Sequence, residues 1–174
     1  MEEIKGFNFN SILKDWDFIY NQTSVGHLEC KVQQVSFDNF LLYKEQINTS
    51  TFQVGGCQNE SLNLGFFSNS AVYMGKEVHE YEIISLSPHD EILLKTPENS
   101  IFYSLSVPLN SFSDEIAHFP LISDVINIQQ DSSFRLAINR IFYYLFNSNF
   151  NLKDEKQLKE IKKDIIDMGI SILL

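Results

Sequence analysis

The sequence lacks several features that would place it in a simple functional class. No apolar run approaches the roughly 18–20 residues of a membrane-spanning helix, and the first residues carry acids instead of the apolar core of a secretion signal. We therefore predict a cytoplasmic protein. Only 13 of the 174 residues are lysine or arginine, against 23 acidic residues, which gives a net charge of −10. Because proteins hold nucleic-acid backbones with clustered basic side chains, this chain is not expected to bind DNA by itself.

Cysteine is also scarce, with Cys30 and Cys57 as the only two in the chain. Two lone cysteines in a chain without a secretion signal are more often free thiols than a disulfide. We expect both to be free and to lie in strands.

The sequence does contain a succession of short strands. Apolar and polar residues alternate after Gly26, and the turn signal Asp38-Asn39 joins that strand to the next one, FLLYKEQI, as a hairpin. Alternating segments recur about every 8–12 residues as far as Val107. This pattern predicts a mainly β protein with added α-helices: an antiparallel β-barrel or sandwich.

The stretch 80–108 is predicted to form a meander of three strands, separated by turns at Ser87-Pro88-His89-Asp90 and Pro97-Glu98-Asn99. In its middle strand, the run Ile92-Leu93-Leu94 predicts burial on both faces with a helix covering the outside.

A short N-terminal helix is predicted ahead of the strands. Asn10 or Ser11 can cap it, and its apolar residues fall at helical spacing. Trp16, at that spacing among aliphatic residues, is predicted to be a core residue and not a ligand-stacking platform. The stripe consists of Ile12, Leu13, Trp16, Ile19 and Tyr20.

After Pro108 the pattern becomes helical, so residues 1–108 are predicted to hold the short helix and the barrel, and 109–174 a helical region of two to three helices packed on it. The first helix starts near Ser111 and ends by His118. The second starts at Asp131 or Ser132 and the third at Asn151. The second carries a long apolar stripe of Phe134, Ala137, Ile138, Ile141, Phe142, Leu145 and Phe146.

The last helix carries a heptad-like ridge, with spacings of three, four, three and four residues. It predicts a homodimer in which this ridge meets its twin. Packing of the ridge on its own domain is the alternative, since two heptads are fewer than a confident coiled coil needs. The ridge consists of Leu158, Ile161, Ile165, Met168 and Ile172.

The histidines do not form a metal site in the sequence. Metal-binding cupins resemble one another in a pair of histidines one residue apart with a nearby glutamate and a later histidine, and none of His27, His79, His89 and His118 is so spaced. The nearest arrangement is Glu77, His79 and Tyr81, which offers too few ligands. No nucleophile with a base and no phosphate-binding loop is evident. We predict no metal, no cofactor and no catalysis.

A small barrel can enclose one modest ligand. The predicted lining is a set of inward-pointing aromatic and aliphatic residues, Tyr43, Phe66, Ile83 and Tyr103. The alternative is that these side chains simply fill the barrel.

The order of these elements resembles the N-terminal cupin-like domain of AraC-family bacterial transcription regulators, especially the branch of ethanolamine-operon regulators. The resemblance runs from about Trp16 to the end of the chain. It rests on Trp16 to Gln22, Gly26, Leu42-Tyr43-Lys44-Glu45, Gly55-Gly56, Phe66, Gly75, Pro88, Pro97 and Val107-Pro108.

The resemblance implies a cupin-like barrel that senses an effector or serves as a regulatory body, followed by dimerisation helices. It implies that DNA is bound by a helix-turn-helix half that has no counterpart in this chain, which would make the chain an excised domain or a standalone relative. A cupin-like metal enzyme with a degenerate site and a standalone protein-interaction module are the alternatives.

Overall fold

The computed structural model describes residues 16–79, 82–88, 90–113, 121–128, 132–147 and 154–173. Eleven strands and two α-helices lie in these ranges, together with one 3-10 turn at Leu109–Ser111. The strands are β1 (Trp16–Gln22), β2 (Cys30–Phe37), β3 (Phe40–Ile47), β4 (Thr51–Cys57), β5 (Ser61–Phe67), β6 (Ala71–Tyr73), β7 (Lys76–Val78), β8 (Glu82–Leu86), β9 (Ile92–Thr96), β10 (Ser100–Pro108) and β11 (Asp124–Asn127), and the helices are α1 (Ser132–Asn147) and α2 (Glu155–Leu173).

The strands form two antiparallel sheets. The smaller has five strands in the order β1-β4-β9-β6-β7, and the larger has six in the order β11-β8-β5-β10-β3-β2. The mainly β prediction is therefore confirmed. A barrel is not, because neither sheet closes on itself within the described residues.

The larger sheet is buried on both faces. In β3, Phe40 and Leu42 belong to one apolar cluster with the two helices, whereas Leu41 and Tyr43 belong to a second cluster shared with the smaller sheet. Successive side chains of a strand point to opposite faces, so four consecutive buried residues need a layer on each side. The chain thus has three layers: small sheet, large sheet and helices.

The β2–β3 hairpin predicted from the Asp38-Asn39 turn is confirmed. Asp38 and Asn39 both have positive φ, 45° and 68°, which asparagine and aspartate tolerate in tight hairpin turns. Cys30 and Cys57 are buried in strands and are not joined in a disulfide, as predicted.

The N-terminal helix prediction is wrong where the structure describes it. Trp16–Gln22 is the edge strand β1, paired with β4, and residues 1–15 lie outside the described residues. Trp16 and Phe18 are buried while Asp17 and Ile19 are exposed, a period of two that competes with the helical spacing. Trp16 is nevertheless a core residue, 4% exposed, as predicted.

The predicted meander is also wrong. β8 and β10 belong to the large sheet, but β9 between them crosses to the small sheet and pairs with β4 and β6. Leu93 is 38% exposed on the outside of that sheet. β9 is therefore buried on one face only, and no helix covers its outer face within the described residues.

The region after Pro108 is not wholly helical, since β11 joins the edge of the large sheet beside β8. Of the predicted helix from Ser111 to His118, residues 114–118 lie outside the described residues, and Ser111 ends the 3-10 turn. The apolar stripe of α1 is confirmed from Ile138 to Phe146 as part of the core against the large sheet.

No helix of the described residues is both long enough and apolar enough to cross a membrane.

The heptad-like ridge of α2 packs on its own chain, the alternative that the sequence left open. Ile161, Ile165 and Met168 are 4%, 0% and 3% exposed within the cluster between helices and large sheet. Leu158 and Ile172 pack partly buried against the same cluster. The three central residues of the ridge are thus covered within their own chain, and the homodimer stays a prediction.

Candidate ligand site between the sheets

A pocket of about 500 Å³ lies at one end of the large sheet, within the size range of small-molecule sites. We call it the mouth pocket. It lies between the β2–β3 turn, the loop before β5 and the end of β10. Its lining comprises Gln34, Ser36, Phe37, Asp38, Asn39, Phe40, Leu41, Asn59, Glu60, Ser61 and Pro108.

Polar side chains line the large sheet next to this pocket. The strand register places Gln34 opposite Tyr43 and Tyr43 opposite Ser104, and it places Ser106 opposite Asn63 in the next row. Tyr43 belongs to the cluster between the sheets, and strand alternation puts the other four side chains on its side. We call these five residues the inner patch; Gln34 belongs to both patch and pocket.

Several polar atoms of the inner patch are buried without a protein partner. Gln34 Oε1, Asn63 Oδ1 and Ser106 Oγ make no hydrogen bond within the described part of the chain, although the Asn63 amide donates to the Ser61 carbonyl oxygen at 3.1 Å. A buried polar atom left unpaired costs about 1–3 kcal/mol, and most such atoms in proteins are paired. These atoms therefore suit the hydrogen-bonding groups of a bound molecule.

The small sheet faces the inner patch with an aromatic wall. Trp16 packs edge-on against Tyr43 with ring centroids 6.0 Å apart, and it stacks on Phe18 at 5.4 Å. Its indole Nε1 is a further buried donor without a partner in the described residues. The site thus combines aromatic surface with unpaired donors and acceptors.

The inner patch carries no charged side chain. Burial raises the pKa of the Tyr43 phenol well above its ordinary value, so that this hydroxyl stays neutral. Among the residues that line the mouth pocket, Asp38 and Glu60 are the acidic ones. Asp38 is ion-paired with Lys162 of α2, which joins the rim to the helical layer.

The four residues predicted to line one cavity do not share one. Tyr103 pairs with Phe66 and Phe66 with Ile83 across three strands, and all three contact the helix-side cluster. Tyr43 lies on the opposite face of the sheet. A difference of one position in register reverses the face of a strand residue, and the sequence does not fix the register between distant strands.

The predicted absence of a metal site is not contradicted. Within the described ranges, no group of three or more histidine, cysteine, aspartate or glutamate side chains could hold a metal ion. His79 and Glu77 lie 3.9 Å apart and are 59% and 77% exposed. Tyr81, His89 and His118 lie outside the described residues.

Asn63, Ser106 and the indole of Trp16 were missed as site residues. The signal for the serine was present, because Ser104 and Ser106 alternate with apolar residues in β10. Asn63 stands between two leucines of a strand that is buried throughout. A buried polar residue in such a strand indicates either an internal hydrogen bond or a site.

The described structure is thus an antiparallel two-sheet sandwich with a helical layer against its larger sheet. A solved structure of the same fold is the crystal structure of CuxR, an AraC-like transcriptional activator, with a TM-score of 0.67 and 11% sequence identity. The match covers 88% of this chain and 60% of CuxR. The expected likeness to the regulatory domain of AraC-type regulators is thus confirmed for the strands and the helices that follow them, but not for a closed cupin-like barrel. At this identity the match shows the fold alone.

Other comparisons add little. A putative glyoxylate-induced protein from Pseudomonas aeruginosa matches with a TM-score of 0.35 and 11% sequence identity. Vicilin from hazelnut matches with a TM-score of 0.34 and 12% identity. These matches cover 68% and 86% of this chain and 51% and 44% of the respective proteins, and at such scores they carry no argument. No family model and no curated protein matches the sequence.

Proposed function

We propose that this chain is the regulatory domain of an AraC-type transcription regulator, combining effector sensing with homodimerisation, while DNA is bound by a helix-turn-helix half outside this chain. The observation that carries the proposal is the three-layer fold shared with an AraC-like activator over 88% of the chain. Since the chain spans only 60% of that protein's length, it corresponds to a part of such a regulator. The net charge of −10 fits a part that does not contact DNA.

The effector is proposed to bind in the mouth pocket and reach the inner patch. The patch has unpaired acceptors, hydroxyls and an indole donor but no charge, which suits a small, uncharged, polar molecule. Burial of polar groups that find partners only in the complex also gives strong discrimination against analogues lacking them.

The Asp38–Lys162 ion pair offers a route from the effector to the helices. Asp38 lies at the rim of the mouth pocket and Lys162 on α2. An effector that contacts the β2–β3 turn would bias how α2 sits on the sheet. Such coupling requires that the effector bind the two arrangements with different affinity.

The exposed side of α1 is the surface we propose for dimerisation, in place of the buried ridge of α2. Leu136 and Tyr143 are 69% and 61% exposed, and Tyr144 is 47% exposed. Arg140, between them on this side of the helix, is held by Glu160 and Asp164 of α2 at 3.9 and 3.5 Å. Tyrosine and arginine are the residue types enriched in interface hot spots.

A reporter assay tests the proposal. The chain is fused to a DNA-binding domain that represses its operator only as a dimer. We expect repression well above that of the unfused domain, loss of it in Tyr143→Asp, and retention in Ile19→Asp, a matched exposed position on the far sheet. Repression by the intact fusion no stronger than by the DNA-binding domain alone would contradict a dimerising regulatory domain.

A further inference from the structure

A second polar group is buried between the sheets, away from the mouth pocket. Glu45 of β3 lies two residues beyond Tyr43 on the same face of the strand and is only 2% exposed. Carboxylates are almost never this buried unless they are paired or neutral. No part of the proposed effector site uses this side chain.

The carboxyl group of Glu45 is joined to the small sheet by hydrogen bonds. The Tyr20 phenol of β1 donates to Oε2 at 2.5 Å, and the Gln53 amide of β4 donates to Oε1 at 3.4 Å. Gln53 also donates to Thr51 at 3.1 Å. Glu45 thereby links the interior of the large sheet to β1.

Among the strands that the structure describes, β1 lies at the edge of the small sheet and pairs with β4 alone. Its inward-facing residues are Trp16, Phe18 and Tyr20, and Tyr20 is the one whose hydroxyl reaches Glu45. An edge strand can leave a sheet more readily than a central one, because only one ladder of hydrogen bonds is broken. Departure of β1 would expose Glu45 to water.

The groups facing Glu45 from the surrounding strands are uncharged. The titratable ones are Tyr20 on β1, Cys30 on β2 and Tyr43 on β3, while Gln53 on β4 is neutral and Phe102 of β10 lies opposite in the register. Burial raises the pKa of the Glu45 carboxyl to about 7, and the hydrogen bonds from Tyr20 and Gln53 act in the opposite direction. No cation among these neighbours compensates the ionised form.

We propose that Glu45 is a proton-binding site that controls how firmly edge strand β1 is held on the sandwich. The protonated carboxyl is neutral and can stay buried. The ionised carboxylate needs solvation that only the opening of β1 supplies. The domain would therefore respond to pH near neutrality.

Trp16 offers a direct test, because it is the only tryptophan of the chain and lies on β1. Its emission is recorded from pH 5 to pH 9 in the intact protein, Glu45→Gln, Tyr20→Phe and the double control His27→Gln/His79→Gln. We expect a red shift with rising pH in the intact protein and in the histidine control, and no shift in Glu45→Gln. The midpoint in Tyr20→Phe should move downward by roughly half to one pH unit, because this variant loses a hydrogen bond that holds β1 against Glu45 in the closed state.

Each outcome is decisive. A constant emission in the intact protein, the same transition in Glu45→Gln, or loss of the transition in the histidine control overturns the proposal. If circular dichroism shows that Glu45→Gln does not fold, the midpoint of Tyr20→Phe decides: a downward move supports the site, and an unmoved or raised midpoint refutes it. Faster amide exchange of residues 16–22 at pH 8.5 than at pH 5, corrected for intrinsic rates, is the expected independent signature.

Discussion

We predict that the buried Glu45 carboxyl makes the free energy of unfolding of the domain fall as pH rises. The folded pKa of about 7 lies above the ordinary value of 4.5, so the folded state binds the proton more tightly than the unfolded chain. The associated stability is present in full below about pH 4.5 and is lost as pH rises through 7. At about 1.4 kcal/mol per pKa unit, the whole effect is on the order of 3 kcal/mol.

Urea unfolding at pH 5 and pH 8.5 measures this effect. The intact protein should be about 2–3 kcal/mol less stable at the higher pH, equivalent to a fall in Tm of roughly 5–10 °C for a domain of this size. Glu45→Gln keeps a neutral side chain of nearly the same shape and should lose most of this dependence. Because the other carboxylates are common to both proteins, the difference between them isolates Glu45. Equal pH dependence in the two proteins, or a smaller fall in the intact one, would refute the reasoning.

Three further predictions concern the core, the inner patch and the rim. Ile165→Ala should lower the unfolding free energy by about 2–5 kcal/mol, because this side chain is 0% exposed. The control Leu136→Ala, on the exposed side of α1, should change the unfolding free energy by less than about 0.5 kcal/mol. Equal urea midpoints for the two variants would contradict the packing of α2. Ser106→Ala should leave the unfolding free energy unchanged or raise it by up to about 1 kcal/mol, because the serine hydroxyl is buried without a partner in the described residues. A loss of more than about 1 kcal/mol in the same assay would show that the hydroxyl is paired. Lys162→Met should cost less than about 1 kcal/mol in urea unfolding, because the Asp38 side of the ion pair is 61% exposed; a larger cost would mean that the rim anchors α2 far more strongly than a surface pair does.

The sequence predicted those parts of the fold that depend on neighbouring residues. The β2–β3 hairpin follows from the Asp38-Asn39 turn, and the buried stripe of α1 from its helical spacing. The prediction of a helix at β1 is wrong because the apolar residues of this segment fit two periods. Trp16, Ile19 and Tyr20 fit the helical period near 3.6. Trp16, Phe18 and Tyr20 fit the strand period of two equally well. Short segments of this kind are decided by pairing with a distant strand, here β4.

The errors about the site have the same non-local origin. Tyr43 and Tyr103 lie in adjacent strands of one sheet but on opposite faces, since Tyr43 pairs with Ser104. Likewise, the spacing of the α2 ridge shows that one side of the helix is apolar but not which surface covers it. Here the covering surface is the large sheet with α1, and the dimer surface that we propose is therefore the exposed side of α1.

The central claim is that this chain is a dimerising regulatory domain, and sedimentation velocity over a range of protein concentrations tests it most directly. We predict a reversible shift from monomer to dimer with rising concentration, abolished by Leu136→Asp with Tyr143→Asp and retained in Ile19→Asp. A monomer at every concentration, or a dimer indifferent to the paired substitutions on α1, would contradict the account.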